Sequence, residues 1–293
     1  MAAGDFLDRT AGANFIPELW AEPIYQFFTR QNKLRGSVDD YSAMVKGQGD
    51  TIHIPKIALK AAVEKGSSAA IDFTTAGTAG KVDLSIDKHY VVPELFEDIA
   101  LIQSNSELIS KYTKMMGESI ARQVDEHMWD ELDGFQTRQD LSANNTFAAA
   151  DLETTLSNLY ASDLEPNECS MAVNSLILAD IMNPSSGVAS YFVRADAVSG
   201  SGQELKTGAV GLVYGMDVFY SNAISTATDN DKSVGAVYVP SACAFAAQQD
   251  VRVQSQYDIA YLGTKVTADI IYGMKLLDAS GDLRGLQLVN LGG

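Results

Sequence analysis

The longest regular pattern of apolar positions runs from residue 104 to residue 133. Apolar side chains recur there every four residues, and three more widen the stripe; they are Leu108, Tyr112, Met116, Ile120, Val124, Met128 and Leu132, with Ile109, Ala121 and Trp129. This spacing is typical of an amphipathic helix. Gly117 interrupts it at a cost of about 1 kcal/mol, and Ser104 or Ser106 can cap its start. The sequence therefore predicts a helix of about 30 residues, which is long for a globular protein.

Two stretches before this helix alternate apolar and polar positions, as β-strands do. In "DTIHIPKI", Ile52 and Ile54 alternate with polar residues, and Pro55 indicates an edge strand or a free-standing strand. The second stretch, "KVDLSIDKHYVV", follows a segment rich in Gly, Ser, Thr and Ala. We predict that residues 50–92 form one long hairpin. Because a two-stranded hairpin is marginally stable alone in water, we expect Ile52 and Ile54 to contact another subunit.

The rest of the chain mixes short helices with strands. We expect residues 1–14 to form an arm, followed by a short helix after Pro23. Residues 151–183 predict two helices around a buried strand, and a loop follows them. "GAVGLVYGMDVFYSNAI" predicts two strands around Gly215, and further strands come from "VGAVYVPSACAFAAQQD", "VRVQSQYD" and, as the last one, "TKVTADIIYGMKLLD". A hairpin, a long helix, a mixed middle and a strand-rich end indicate an α+β fold.

Composition narrows the class of protein. The 293 residues are 46% hydrophobic and 20% charged, as in an ordinary globular protein of one or two domains. No apolar run has the roughly 18 residues of a membrane helix, and the N-terminus lacks the pattern of a signal peptide. The net charge of −17 argues against a nucleic-acid-binding surface and makes copies repel each other. Cys169 and Cys243 lie far apart, which favours buried, inert thiols in a reduced setting.

Candidate chemistry concentrates in "DEHMWDELD", residues 125–133, at the end of the predicted helix. Helical geometry places Asp125 and Glu126 on a solvated face with the charged residues Glu107, Lys111, Lys114, Glu118 and Arg122. On that face, Glu107–Lys111 and Glu118–Arg122 have the favourable i,i+4 order. His127 and Glu131 lie on another side, so we expect no metal or catalytic site here. On the hairpin, His53 and His89 are expected to pack across the strands.

The last helical turn contains an excess of acids. Asp130, Glu131 and Asp133 lie where the helix dipole disfavours negative charge. We therefore expect a Lys or Arg from another copy of the chain to compensate them, and we count all three as candidate contacts between subunits.

The order of these segments resembles a known family. "FIPELWAEPI", "GDTIHIPKI", "KHYVVPELFEDIALIQSNSEL", "ARQVDEHMWDEL" and the strands "TGAVGLVYGMDVFYSNAI" and "KVTADIIYGMKLLD" look like the major capsid proteins of tailed bacteriophages, which have the Hong Kong 97-type fold. The resemblance covers roughly residues 15–288. It implies a fold with a long spine helix, an extended E-loop hairpin, a P-domain sheet and an A-domain.

Domain limits and function also follow from the resemblance. It implies an N-terminal arm at 1–36, the E-loop at 46–92, a P-domain with spine helix at 93–145, the A-domain at 146–240, P-domain return strands at 241–278 and a C-terminal segment at 279–293. Hexamers and pentamers would form an icosahedral shell in the virion, assembled in the host cytoplasm, that encloses double-stranded DNA without sequence-specific binding. The family has no catalytic motif, so neither enzymatic activity nor a cofactor or metal is expected.

The resemblance further implies partner proteins. The chain starts close to the arm, so a separate scaffold protein is expected, together with a portal and possible decoration proteins. Some family members crosslink a lysine to an asparagine, and Lys60 and Lys65 lie in the hairpin as further candidate contacts. Two alternatives stay open: an encapsulin-like nanocompartment with protein cargo, and a metal-dependent hydrolase that uses His127 and Glu131.

Overall fold

The computed structural model of the protein describes residues 33–46, 49–57, 62, 64–65, 67, 78–98, 107–142, 146–194, 209–226, 233–277 and 284–290. Its helices are α1 (Ser42–Val45), α2 (Glu107–Leu132), α3 (Ala149–Ala161) and α4 (Ser175–Met182). Its strands are β1 (Asp39–Asp40), β2 (Thr51–Ile57), β3 (Thr78–Ser85), β4 (Lys88–Glu97), β5 (Arg138–Asp140), β6 (Ser170–Val173), β7 (Phe192–Arg194), β8 (Ala209–Val213), β9 (Met216–Tyr220), β10 (Ser233–Tyr238), β11 (Cys243–Asp258), β12 (Gly263–Leu276) and β13 (Gly285–Val289). The predicted arm, the helix after Pro23 and the capping serines lie outside the described residues. No helix in the described ranges is long and apolar enough to cross a membrane.

The long helix α2 packs on a four-stranded sheet. The strand order is β1-β11-β12-β4, with β1 parallel to β11 and the other neighbours antiparallel. The side chains of the predicted stripe from Met116 onwards are buried, namely Met116, Ile120, Val124, Met128 and Leu132. They contact the sheet residues Val266, Ala268, Ile270 and Tyr272 in one apolar cluster. The helix prediction is therefore confirmed, within the described residues, from residue 107 to residue 132.

A seven-stranded sheet holds the second apolar cluster. Its order is β5-β13-β10-β6-β9-β8-β7, and the central strands β10 and β6 are buried along their whole length. Ile177 and Ile181 of α4 and Leu152 and Leu159 of α3 are buried in this cluster. The two helices predicted around a buried strand in residues 151–183 are thus confirmed.

Two strand predictions for the C-terminal half need correction. The stretch that becomes β12 was predicted to be the last strand, but β13 follows it and inserts between β10 and β5. The region predicted as loop after residue 183 contains the short strand β7, which pairs with β8. Both strands are brief, and each forms because a partner from another part of the chain supplies its hydrogen bonds.

The hairpin is shorter than predicted. β2 and β3 pair antiparallel as a two-stranded sheet, whereas β4 leaves the hairpin and joins β12. Leu84 of β3 is fully buried against Val45, Ala244 and Leu277, and Ile52 and Ile54 pack against the same cluster. The base of the hairpin therefore packs on its own chain, and the contact of Ile52 and Ile54 with another subunit stays a prediction.

A glycine makes this docking possible. Gly273 of β12 lies directly beneath the chain at Ser85, so that a Cβ atom there would collide with the Ser85 carbonyl oxygen. Because the end of β3 approaches the backbone of β12 this closely, the base of the hairpin is fixed to the four-stranded sheet.

Candidate functional site

The acidic end of α2 separates into side chains with different partners. Asp125, which was predicted to face solvent, is only 6% exposed. Its carboxylate accepts hydrogen bonds from the backbone N–H groups of Lys33 at 3.3 Å and Leu34 at 3.4 Å. Burial raises the pKa of Asp125 to about 7, against the lowering effect of these two bonds and of the Lys33 charge. The prediction that this part of the helix faces solvent is therefore wrong for Asp125.

Between Lys114 and Glu126 that face is charged and largely accessible, and its ion pairs differ from the predicted Glu118–Arg122 pair. Lys114 Nζ lies 3.5 Å from Glu118 Oε1, and Arg122 Nε lies 3.3 Å from Glu126 Oε1. Both pairs have the i,i+4 spacing, but the basic residue comes first, which is the weaker orientation. Glu118 and Arg122 thus pair with Lys114 and Glu126 and not with each other.

His127 is held between two tyrosine hydroxyls. Its Nε2 lies 2.9 Å from the Tyr90 hydroxyl of β4, and its Nδ1 lies 2.8 Å from the Tyr272 hydroxyl of β12. In a neutral imidazole one nitrogen donates and the other accepts, so both ring nitrogens are used in joining α2 to the sheet.

Glu131 has partners within its own chain. Lys275 Nζ lies 3.6 Å from its carboxylate, and the backbone N–H of Leu276 donates to it at 3.1 Å. The cation expected to compensate Glu131 is therefore Lys275 of β12 in the same chain. The premise that Glu131 needs a cation from a second copy is wrong. In the described part of the chain, no group of three or more His, Cys, Asp and Glu side chains is placed to hold a metal ion. His127 and Glu131 are thus not brought together as a site.

The two remaining acids are more accessible. Asp130 and Asp133 are both exposed. The Gln287 side-chain amide of β13 donates to the Asp133 backbone carbonyl, and its Nε2 lies 3.4 Å from Asp133 Oδ1. Both residues stay candidates for contact with another subunit, since neither carboxylate is buried.

The hairpin brings some of its candidate contacts to the surface. Ile52 and Ile54 are half-buried at the base, and Lys65 is exposed. Lys60 lies outside the described residues. Of the two histidines predicted to face each other, His53 Nδ1 lies 2.5 Å from Asp83 Oδ1 across the hairpin, whereas His89 lies on β4 in the other sheet. That pairing was wrong because the alternating segment is divided between two sheets.

Sequence reasoning missed a charged cluster on the four-stranded sheet. Asp269 of β12 is buried, and Arg252 of β11 donates to it from Nε at 3.1 Å and from Nη2 at 2.7 Å. His89 Nε2 of β4 lies 3.1 Å from the same carboxylate. Strand β4 is far from β11 and β12 in sequence, and the sequence signal for the cluster was a lone acid inside the apolar run "KVTADIIYGM".

The two cysteines are buried free thiols, as predicted. Burial raises the pKa of Cys169 to about 11 and that of Cys243 to about 12. Because the thiolate is the reactive form of cysteine, burial opposes nucleophilic chemistry at both residues.

The arrangement of two sheets, a long helix and a hairpin was compared with known proteins. No protein-family model and no curated protein sequence matches the chain. Among solved structures, the capsid of Ralstonia phage GP4 aligns with a TM-score of 0.69 and 9% identity over 90% of this chain and 92% of that one. A structure from Mycobacterium phage Che8 aligns with a TM-score of 0.65 and 20% identity over 88% and 91%.

A third neighbour comes from an archaeon. A virus-like particle from Pyrococcus furiosus aligns with a TM-score of 0.61 and 10% identity over 92% of this chain and 98% of that one. The likeness to all three extends over nearly the whole of both chains, so it describes the complete fold and not a shared fragment. The chain has the Hong Kong 97-type α+β fold of phage capsid structures.

Proposed function

We propose that this chain is the major capsid protein of a tailed phage, and that its copies assemble as hexamers and pentamers into an icosahedral shell. The observation that carries the proposal is the likeness to the Ralstonia phage GP4 capsid over 90% of this chain and 92% of that chain. A structural role also agrees with the helix end, where His127 and Glu131 are used in packing and ion pairing.

In this proposal the hairpin β2–β3 extends one subunit over its neighbour. Its base is anchored on its own chain through Leu84, while His53, Lys81 and Asp83 form an exposed polar surface further along the strands. An element fixed at one end and exposed along its length suits a repeated contact under symmetry. Lys65, Asp130 and Asp133 are the exposed candidates for such contacts, with Ile52 and Ile54 at the base.

The charge of the chain fits a container for double-stranded DNA. A net charge of −17 per copy repels phosphates, so packaged DNA would not adhere to such a wall through the bulk charge. The same charge opposes association of copies, which agrees with assembly guided by a separate scaffold protein in the host cytoplasm. A portal and decoration proteins would complete the virion, with no membrane involved.

A second candidate is an encapsulin-like compartment that holds protein cargo. Its motivation is the likeness to the virus-like particle from Pyrococcus furiosus over 98% of that chain, since that neighbour is not described as a phage capsid. The two candidates predict the same kind of shell and differ in contents, so the nucleic acid and protein found inside purified particles separate them.

Electron microscopy and light scattering of the purified full chain test the proposal. We expect closed particles of uniform diameter, because a capsid subunit completes its buried surface only with its neighbours. A chain that stays a compact monomer at high concentration and at both low and high salt, alone and in a lysate of phage-infected cells, would refute a shell-forming role. Nuclease-resistant DNA in the particles supports the phage capsid, and a homogeneous enclosed protein supports the compartment.

A further inference from the structure

Three half-exposed tyrosines form one surface beside the seven-stranded sheet, which we call the tyrosine face: Tyr160, Tyr191 and Tyr214. Each is 49% exposed. The Tyr214 ring lies edge-to-face on Tyr191 with centroids 6.3 Å apart, and the side chain of Tyr160 lies next to that of Tyr214. Three separate segments meet here, namely the end of α3, the chain before β7 and the turn between β8 and β9.

The backbone at Tyr214 is unusual for a tyrosine. Tyr214 and Gly215 form a two-residue hairpin loop with φ of 50° and 90°. Positive φ at both loop residues is the signature of a type I′ turn, which favours Asn or Asp in the first position and Gly in the second. Gly215 follows this rule and Tyr214 breaks it. A bulky residue with positive φ persists where its surroundings or its role require it.

Acidic residues flank the tyrosine face. Asp163 follows Tyr160 by one helical turn, also has positive φ, and donates its backbone N–H to the Tyr160 carbonyl at 3.2 Å. Glu165 lies close enough to Tyr160 to act on it electrostatically. Both side chains are exposed. Aromatic rings beside carboxylates attract a cation in two ways. The ring faces attract it through their quadrupole, and the carboxylates attract it through their charge.

We propose that the tyrosine face is a docking site for an arginine-bearing basic segment of a protein other than this chain. Arginine fits better than lysine because its planar guanidinium stacks on aromatic rings while its N–H groups donate to carboxylates. Tyrosine and arginine also supply many of the anchor contacts of protein interfaces. A second copy of this chain offers few basic side chains to such a site, since it has 21 basic residues against 38 acidic ones.

The test uses two synthetic peptides, one of alternating arginine and serine and one with lysine in place of arginine. Their binding to the full chain is measured by fluorescence anisotropy. Both peptides carry the same charge, so attraction to the acidic protein as a whole is equal for both. We expect the arginine peptide to bind about twofold more tightly, because lysine also makes cation–π contacts but lacks the planar group that stacks on a ring while it donates to carboxylates.

The decisive variant is Tyr214→Asn. Asparagine suits positive φ, so the variant should unfold at the same temperature as the original protein or a higher one, and the preference for arginine should vanish. Tyr261→Ala is the matched control, since Tyr261 is 60% exposed and has Lys265 over its ring at 5.0 Å. The control should keep the arginine preference.

Two results would overturn the proposal. One is an arginine preference that is absent from the original protein or unchanged in Tyr214→Asn. The other is a Tyr214→Asn chain that binds the arginine peptide normally but no longer forms particles, which would assign the tyrosine face to contacts between copies.

Discussion

Replacing Asp125 by asparagine should change the pH dependence of folding more than any other substitution in α2. The carboxylate is 6% exposed, and burial raises its pKa from 3.8 to about 7. In the unfolded chain Asp125 loses its proton near its ordinary pKa, whereas in the folded chain it keeps the proton to about pH 7. Between these values the folded state binds more protons, so the stability of the original protein falls as pH rises through this window.

The size of the effect follows from the shift. A difference of about 3 pKa units at roughly 1.4 kcal/mol per unit corresponds to about 4 kcal/mol, as an order of magnitude. An asparagine side chain has no charge to bury, so Asp125→Asn removes this loss. Its amide oxygen can accept one of the two N–H bonds from Lys33 and Leu34, while its NH₂ group faces the other donor, at a cost of about 1–3 kcal/mol. That cost is the same at every pH.

The assay is urea unfolding of both proteins at several values between about pH 4 and about pH 8. Relative to the original protein, Asp125→Asn should gain about 4 kcal/mol across this range, and other groups cancel in the difference. Asp130→Asn, on the same helix but exposed, is the control and should show no such slope. A stability difference for Asp125→Asn that stays constant over the range would refute the assignment of a buried carboxylate with a raised pKa.

Three further results are expected. Leu84→Ala should destabilise the hairpin by about 2–5 kcal/mol and speed amide hydrogen exchange in β3. Leu95→Ala is the control and should leave exchange in β3 unchanged, because Leu95 on β4 is 39% exposed. Equal exchange rates in the two variants would contradict the docking of the hairpin base. Glu131→Gln should lower the stability measured by thermal unfolding by about 0.5–1 kcal/mol, because it weakens the contacts with Lys275 and Leu276. Unchanged stability together with loss of particles would instead assign Glu131 to the interface between copies. Raising salt from about 0.1 M to about 1 M shortens the Debye length from roughly 10 Å to 3 Å, so light scattering should show faster particle growth; slower growth would mean that attractive charge pairs dominate the interface.

The elements that the sequence predicts well are those set by local periodicity. The stripe of α2 repeats at helical spacing, so its buried side chains from Met116 to Leu132 could be found without knowing their partners. The strands around Gly215 were found because a two-residue turn with glycine separates two apolar runs. In both cases the signal and the structure lie within a few residues of each other.

Pairing between distant segments is what the sequence could not reveal. The alternation in "KVDLSIDKHYVV" continues through Asp87, but β3 ends at Ser85 and the chain crosses to β12. Strand β13 was missed because its five residues are held by β10 and β5 from elsewhere in the chain. Asp125 was assigned to solvent because its partners Lys33 and Leu34 precede it by more than 90 positions.

The intramolecular partners of the helix end change where contacts between copies must be sought. Asp125, His127 and Glu131 each join α2 to another element of the same chain, so their charge and hydrogen-bonding capacity are used in folding. A shell interface must then rely on groups that folding leaves accessible. We propose that the exposed residues Asp130, Asp133 and Lys65 are among those groups. Two of the dense acids, Asp125 and Glu131, therefore hold the helix to the segment at Lys33 and Leu34 and to the end of β12, and they do not form a reactive centre.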